Sequence, residues 1–119
     1  MKKSILFFFL FSIFNIGCKK EVANSSHHVY IANSFTPNED GINDSFGPVV
    51  ADYLDVIDYT MLIFSRNSEI FRTKNIDLKW NGKGKDGFLC KMGIYTYRIN
   101  IKYSDNTEDN ITGSVTMIK

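Results

Sequence analysis

Apolar and polar residues alternate with a period of two through much of the chain after residue 28. Tyr95, Tyr97, Ile99, Ile101 and Tyr103 alternate with Thr96, Arg98, Asn100 and Lys102. This predicts a strand with one dry face and one wet face. Asp105 to Asn110 is a polar turn, after which Ile111, Gly113, Val115 and Met117 alternate with Thr112, Ser114 and Thr116. The two runs together read as a β-hairpin with a long turn. Upstream, Val29 and Ile31 alternate with Tyr30 and Ala32, and Tyr59, Met61 and Ile63 alternate with Thr60, Leu62 and Phe64. The second of these runs is apolar on both faces, the pattern of a central strand in a sandwich. Ile70-Phe71 follows a polar turn at Arg66 to Ser68. Turn signals recur at Asp40-Gly41, Asn81-Gly82 and Asp86-Gly87, and only Ala51 to Asp58 has the pattern of a helical turn. Short strands at this spacing predict an all-β fold, an immunoglobulin-like antiparallel β-sandwich over residues 29–119.

The first residues follow a different grammar. Lys2 and Lys3 precede an apolar run from Ile5 to Ile16, interrupted only by Ser12 and Asn15. The run is short of the ~20 residues that span a bilayer, and basic start, short apolar stretch and small Gly17 together read as a signal peptide, residues 1–17. Asn15-Ile16-Gly17-Cys18 resembles a lipobox, with Asn15 where Leu is usual. That resemblance implies cleavage before Cys18, a diacylglycerol on its sulfur, and a membrane anchor through the lipid. Residues 18–28 are polar and aperiodic, and read as a flexible tether. The adjacent His27-His28 pair has no neighbouring ligand set in sequence and reads as part of that solvated linker.

Charge narrows the function classes. Two of the 14 basic residues lie in the leader, which leaves 12 against 13 acidic residues, a net charge of −1. No basic stripe invites nucleic acid. If Cys18 carries lipid, Cys90 has no intramolecular partner, and it reads as a small buried hydrophobe. No sequence pattern assembles a nucleophile with its base, so an enzyme is not expected. Asp105, Glu108 and Asp109 fall in a turn, where a general acid would lack desolvation. Lys83-Gly84-Lys85-Asp86-Gly87 lacks Walker A spacing and reads as an exposed turn. No cofactor is expected apart from calcium. Asn38, Asp40, Asn43 and Asp44 bring hard oxygens together on a loop turned by Gly41, in reach of what calcium asks. The same residues also suit an Asx-type turn in which the side chains bind local amides. Tyr95, Tyr97 and Tyr103 form either a core stripe or a face on which a glycan could stack.

Several motifs, in order, resemble one family. Phe35-Thr36-Pro37-Asn38-Glu39-Asp40-Gly41-Ile42-Asn43-Asp44-Ser45-Phe46 matches the pattern F-T-P-N-x-D-G-x-N-D-x-F at every specified position. It resembles the opening of the gliding-motility-associated C-terminal domain, which is similar to the type B sorting domains of type IX secretion in Bacteroidota. Leu62 to Arg66 with Ile70-Phe71 resembles the next block, with Asn67 and Ser68 where Trp and Gly are usual. Trp80-Asn81-Gly82, Gly93-Ile94-Tyr95-Thr96-Tyr97 and Gly113-Ser114-Val115-Thr116-Met117-Ile118 are similar to the remaining three. The resemblance runs from about Tyr30 to the end of the chain. It implies an immunoglobulin-like sandwich, contact with secretion or gliding machinery, and no catalysis. Members usually end long cargo proteins, whereas here the domain follows a lipoprotein-type leader. The expectation is therefore an exported module, lipid-anchored at the outer membrane or cell surface and working by protein–protein contact. The second reading is a small calcium-dependent adhesin or glycan-binding lipoprotein.

Overall fold

A computed structural model describes residues 27–119. The leader, Cys18 and the tether up to residue 26 lie outside the described residues. Seven strands follow in order: β1 (Val29–Tyr30), β2 (Ser34–Phe35), β3 (Val49–Val50), β4 (Val56–Ser65), β5 (Ser68–Thr73), β6 (Gly93–Tyr103) and β7 (Glu108–Met117). Among the described residues one 3-10 turn, at Tyr53–Asp55, leads into β4, inside the stretch expected to hold a helical turn. The all-β expectation holds.

Five strands form one sheet in the order β2-β7-β6-β4-β5, and β1 and β3 form a separate two-stranded ribbon. All pairs are antiparallel except β2–β7, which runs parallel with Ser34 beside Thr116 and Phe35 beside Met117. The β6–β7 hairpin is in register from Gly93↔Met117 to Lys102↔Glu108. Its turn is therefore shorter than the polar run predicts, since Glu108, Asp109 and Asn110 already belong to β7. Arg66 and Asn67 turn β4 into β5 with φ of 51° and 73°, the left-handed pair that a two-residue hairpin loop needs to match strand twist.

The period-two residues do face one core. Tyr59, Met61 and Ile63 of β4, Tyr95, Ile99, Ile101 and Tyr103 of β6, and Val115 and Met117 of β7 are buried. At Gly113 the strand leaves room for Tyr97: a Cβ there would sit 2.5 Å from the Tyr97 hydroxyl oxygen. The opposite face differs from what β4 alone predicts. Leu62 and Phe64 are half-buried, and no strand of the described residues packs over them; Arg98 lies 5.6 Å over the Phe64 ring. Long cross-strand side chains shield that face, so apolarity on both sides of a strand does not require two layers.

The dry face is covered mainly by loops. Segments 36–55 and 74–92 cross it, with the β1–β3 ribbon beside them. Phe46 and Trp80 bridge these two loops: each amide donates to the other's carbonyl at 2.8 Å. Trp80 is 0% exposed. Its ring meets Tyr95 edge-on and Phe35 at a tilt, both at 5.2 Å between centroids, and its indole N–H donates to the Lys83 carbonyl at 2.9 Å. The indole thus fills the space between sheet and loops with its one polar atom satisfied. Trp80→Ala should cost about 3–5 kcal/mol, the range for emptying a buried aromatic site. Urea melts check this, and a loss below about 1 kcal/mol would show that the loops do not depend on the indole.

Candidate functional site

The β6–β7 hairpin has two ends, and different chemistry collects at each. At the end marked by Gly93 and Met117 lie the loop 36–44, the Asn81-Gly82 turn, the segment Leu89–Met92 and Ile118. At the end marked by Tyr103 and Glu108 lie His27, the 3-10 turn and the β6–β7 turn.

The loop 36–44 is built by its own side chains. Asp44 is its pin: Oδ1 accepts the Glu39 amide at 2.9 Å and Oδ2 accepts the Gly41 amide at 2.6 Å. Asn38 Oδ1 accepts the Asp40 amide at 3.2 Å, and Asp40 Oδ1 accepts the Ile42 amide at 2.9 Å, two Asx turns in succession. The Asn43 carbonyl accepts the Thr36 amide at 2.8 Å and closes the loop. Such a path demands left-handed backbone, found at Glu39, Gly41 and Asn43 with φ of 63°, 84° and 54°. Gly carries that conformation without steric cost and Asn with little. The two ends of the motif, Phe35 and Phe46, are buried in the core. The four residues expected as calcium ligands are thus together, with oxygens of Asn38, Asp40 and Asp44 directed at loop amides.

Next to this loop the surface forms two adjoining depressions that share Pro37, Asn38 and Leu89. One, of about 430 Å³, takes in Glu39, Asp44, Asn81 and Lys83. The other, of about 600 Å³, is walled by Leu89, Met92, Met117 and Ile118 with Lys91 and Lys119. Gly82 lies buried beneath the groove, against Pro37, Leu89 and Met117. At φ +87° it is left-handed, and a Cβ would lie 3.1 Å from each of Leu89, Met117 and Pro37. Leu89 and Met92 are more than half exposed, so this groove offers apolar surface to a partner. Sequence reasoning misses both the groove and its wall residues. Their only signal is the clustering of motif positions, which no periodicity reveals.

Other candidates resolve differently. Tyr95 and Tyr103 are buried and Tyr97 half-buried under Phe46, so the tyrosine ladder is core and gives no glycan-stacking face. Cys90 is half-buried beside the groove, and burial, then the Asp86 charge, pushes its thiol pKa up, away from a reactive thiolate. The Lys83 to Gly87 segment is an exposed turn closed by the Gly87 amide on the Gly84 carbonyl at 3.0 Å. Asp105 is held down at about 2, first by the Thr107 hydroxyl and then by the Thr107 amide. Asp109 accepts the Tyr103 hydroxyl at 2.8 Å. These carboxylates hold structure in place. His27 is not part of a solvated linker: its ring stacks on Tyr103 with centroids 3.7 Å apart.

The loop geometry separates two substitutions that look alike. Asp44 uses both oxygens as acceptors, whereas Asp40 uses one. An Asn side chain has one acceptor oxygen and a donor NH₂. Asp40→Asn should leave stability within about 0.5 kcal/mol. Asp44→Asn sets a donor against an amide donor and should cost about 1.5–3 kcal/mol. Thermal melts of both variants check this, and equal melts would show that Asp44 is not the pin.

Comparison with curated proteins gives no match. A family model does match, that of the CHU_C type IX secretion signal domain, over residues 29–117. The matched span contains the pinned loop, both bridged aromatic residues and the groove, and it covers well over half of the chain. On this ground the chain belongs to the type IX secretion signal domain family, the gliding-motility-associated C-terminal domains, a membership that implies a role in secretion and sorting.

Proposed function

We propose that the protein is a non-catalytic, lipid-anchored surface module whose groove beside residues 36–44 is read by secretion or gliding machinery. The observation that carries this reading is the segregation of the two ends. The family motifs Phe35 to Phe46, Trp80 to Gly82 and Gly93 to Tyr97 gather at the end where Met117 and Ile118 lie. His27, where the described chain begins, sits on Tyr103 at the other end. Ten residue steps along β6 separate the two, roughly 33 Å at the rise of a strand. A lipid on Cys18 would hold the His27 end toward the membrane and turn the groove outward. In this reading residues 1–17 are the signal peptide and 18–28 the tether, whose last two residues dock on the sorting-type module of residues 29–119.

The same reading extends to the fold. We read the β1–β3 ribbon, together with the Phe46–Trp80 and Lys83–Leu89 bridges, as a reduced counterpart of the second sheet of an immunoglobulin-like sandwich. The loop's calcium reading is the weaker one, because Asn38, Asp40 and Asp44 already spend oxygens on amides. We expect melts with chelator and with millimolar calcium to coincide; a calcium-dependent midpoint would favour the adhesin reading instead.

Two measurements in a host with type IX secretion test the anchor and the groove separately. Labelled palmitate should enter the wild-type chain and not Cys18→Ala; equal labelling would remove the lipid from the proposal. Leu89→Asp with Met92→Asp places charges on exposed apolar wall residues, where substitutions usually shift stability by less than about 0.5 kcal/mol. Surface display of the full chain, scored by protease access on intact cells, should fall sharply in that variant while its melt is unchanged. Undiminished display would show that the groove is not the recognised surface.

A further inference from the structure

We propose that His27, held between Asp52 and Asp105 on the face of Tyr103, is a protonation-dependent clasp that fastens the start of the domain to its β6–β7 end. The ring is nearly parallel to Tyr103, at 15° between planes. Nδ1 lies 2.8 Å from Asp52 Oδ2 and Nε2 lies 3.1 Å from Asp105 Oδ2. The side chain keeps only 9% of its surface exposed. Three elements meet there: the start of the chain described, the turn ahead of β4 and the β6–β7 turn. The latter two are joined directly by the Ser104 amide on the Asp55 carbonyl at 2.8 Å.

The geometry carries the dependence on protonation. A neutral imidazole has one N–H, and its other nitrogen presents a lone pair. With a carboxylate facing each nitrogen, either tautomer leaves one lone pair against a negative oxygen. Only the imidazolium donates to both. Among the described residues the carboxylates that face the ring are Asp52 before β4 and Asp105 after β6, and the ring beneath it is that of Tyr103, whose hydroxyl is bonded to Asp109. The charged members of that set are all carboxylates, so the surroundings favour the cation. Accordingly the His27 pKa is raised, by the Asp52 contact first and by Asp105 next, with burial opposing.

Linkage fixes the sign of the pH dependence. A raised folded-state pKa gives stability that is complete below the unfolded value of about 6.5 and is lost as pH climbs through the folded value. On the acid side, Asp105 at about 2 keeps its charge well below the ordinary 3.8. The clasp is closed in mildly acidic solution and opens as pH climbs through the raised His27 value. When it opens, the next fastenings are the Ala51 amide on the His28 carbonyl at 3.0 Å and the Val29↔Val50 pair. Opening therefore changes the direction in which the preceding chain leaves the domain more than its reach.

The test is an NMR titration of the isotope-labelled full chain in detergent micelles. The His27 ring should titrate with a midpoint above the unperturbed value of about 6.5, and the Tyr103 ring signals should move with the same midpoint. In Asp52→Asn with Asp105→Asn, the His27 midpoint should drop to that value or below. In His27→Gln, the Tyr103 signals should lose their titration while the Trp80 indole signal stays in place. A wild-type His27 midpoint at or below the unperturbed value, or Tyr103 signals indifferent to pH across it, overturns the clasp without any variant needing to fold. Neither result bears on the groove, whose test reads surface display.

Discussion

The sheet has one dry face and, among the described residues, no full-length second sheet to lay on it, so irregular backbone does most of the covering. Such backbone carries amides and carbonyls that must find partners once water is excluded. Trp80 meets both demands at once. Its indole supplies the apolar bulk that fills the gap above Tyr95 and Phe35. Its backbone exchanges a pair of hydrogen bonds with Phe46, and its ring nitrogen satisfies the Lys83 carbonyl. Two loops far apart in sequence are thereby held in one layer. The groove depends on this arrangement, because Gly82 and Leu89 follow directly on the segment that Trp80 anchors.

Seen from this core, the long opening motif is a set of structural requirements. Phe35 and Phe46 are its buried ends. Asp44, Asp40 and Asn38 satisfy loop amides that no strand partner reaches. Gly41 and Asn43 accept the left-handed backbone. Pro37 packs near Gly82 at the rim of the groove. The residues that identify the family therefore shape the surface, while Leu89 and Met92 stand exposed on it. A sorting signal of this kind is a folded shape more than a string of contacted side chains.

Much of this architecture is legible in the chain. The β6–β7 hairpin shows because a long, strict alternation of apolar and polar residues fits a half-buried strand and not a helix. The identity of the loop shows because its Asp, Asn and Gly positions are chemically demanding. What stays hidden depends on contacts distant in sequence. Two-residue strands such as β2 have no period, and a parallel pairing of Phe35 with Met117 leaves no local trace. Trp80 does show, as an aromatic beside Leu78 and the Asn81-Gly82 turn that should pack at the sheet edge, but its bridge to Phe46 does not, because that partner stands 34 residues away. His27 reads as linker from its neighbours alone, because its partners Asp52 and Asp105 stand 25 and 78 residues away.

The parallel pairing of β2 with β7 also imposes an order of events. Phe35 lies near the beginning of the domain and Met117 near its end, so this contact waits for almost the whole chain to emerge from the ribosome. Contacts of such long separation form late and slowly. Met117 is at once a wall of the groove and the strand neighbour of Phe35. A chain that lacks β7, or has not yet docked it, has no finished groove to show. If the groove is the surface read for sorting, as proposed above, it doubles as a certificate of completed folding, withheld from truncated or misassembled copies.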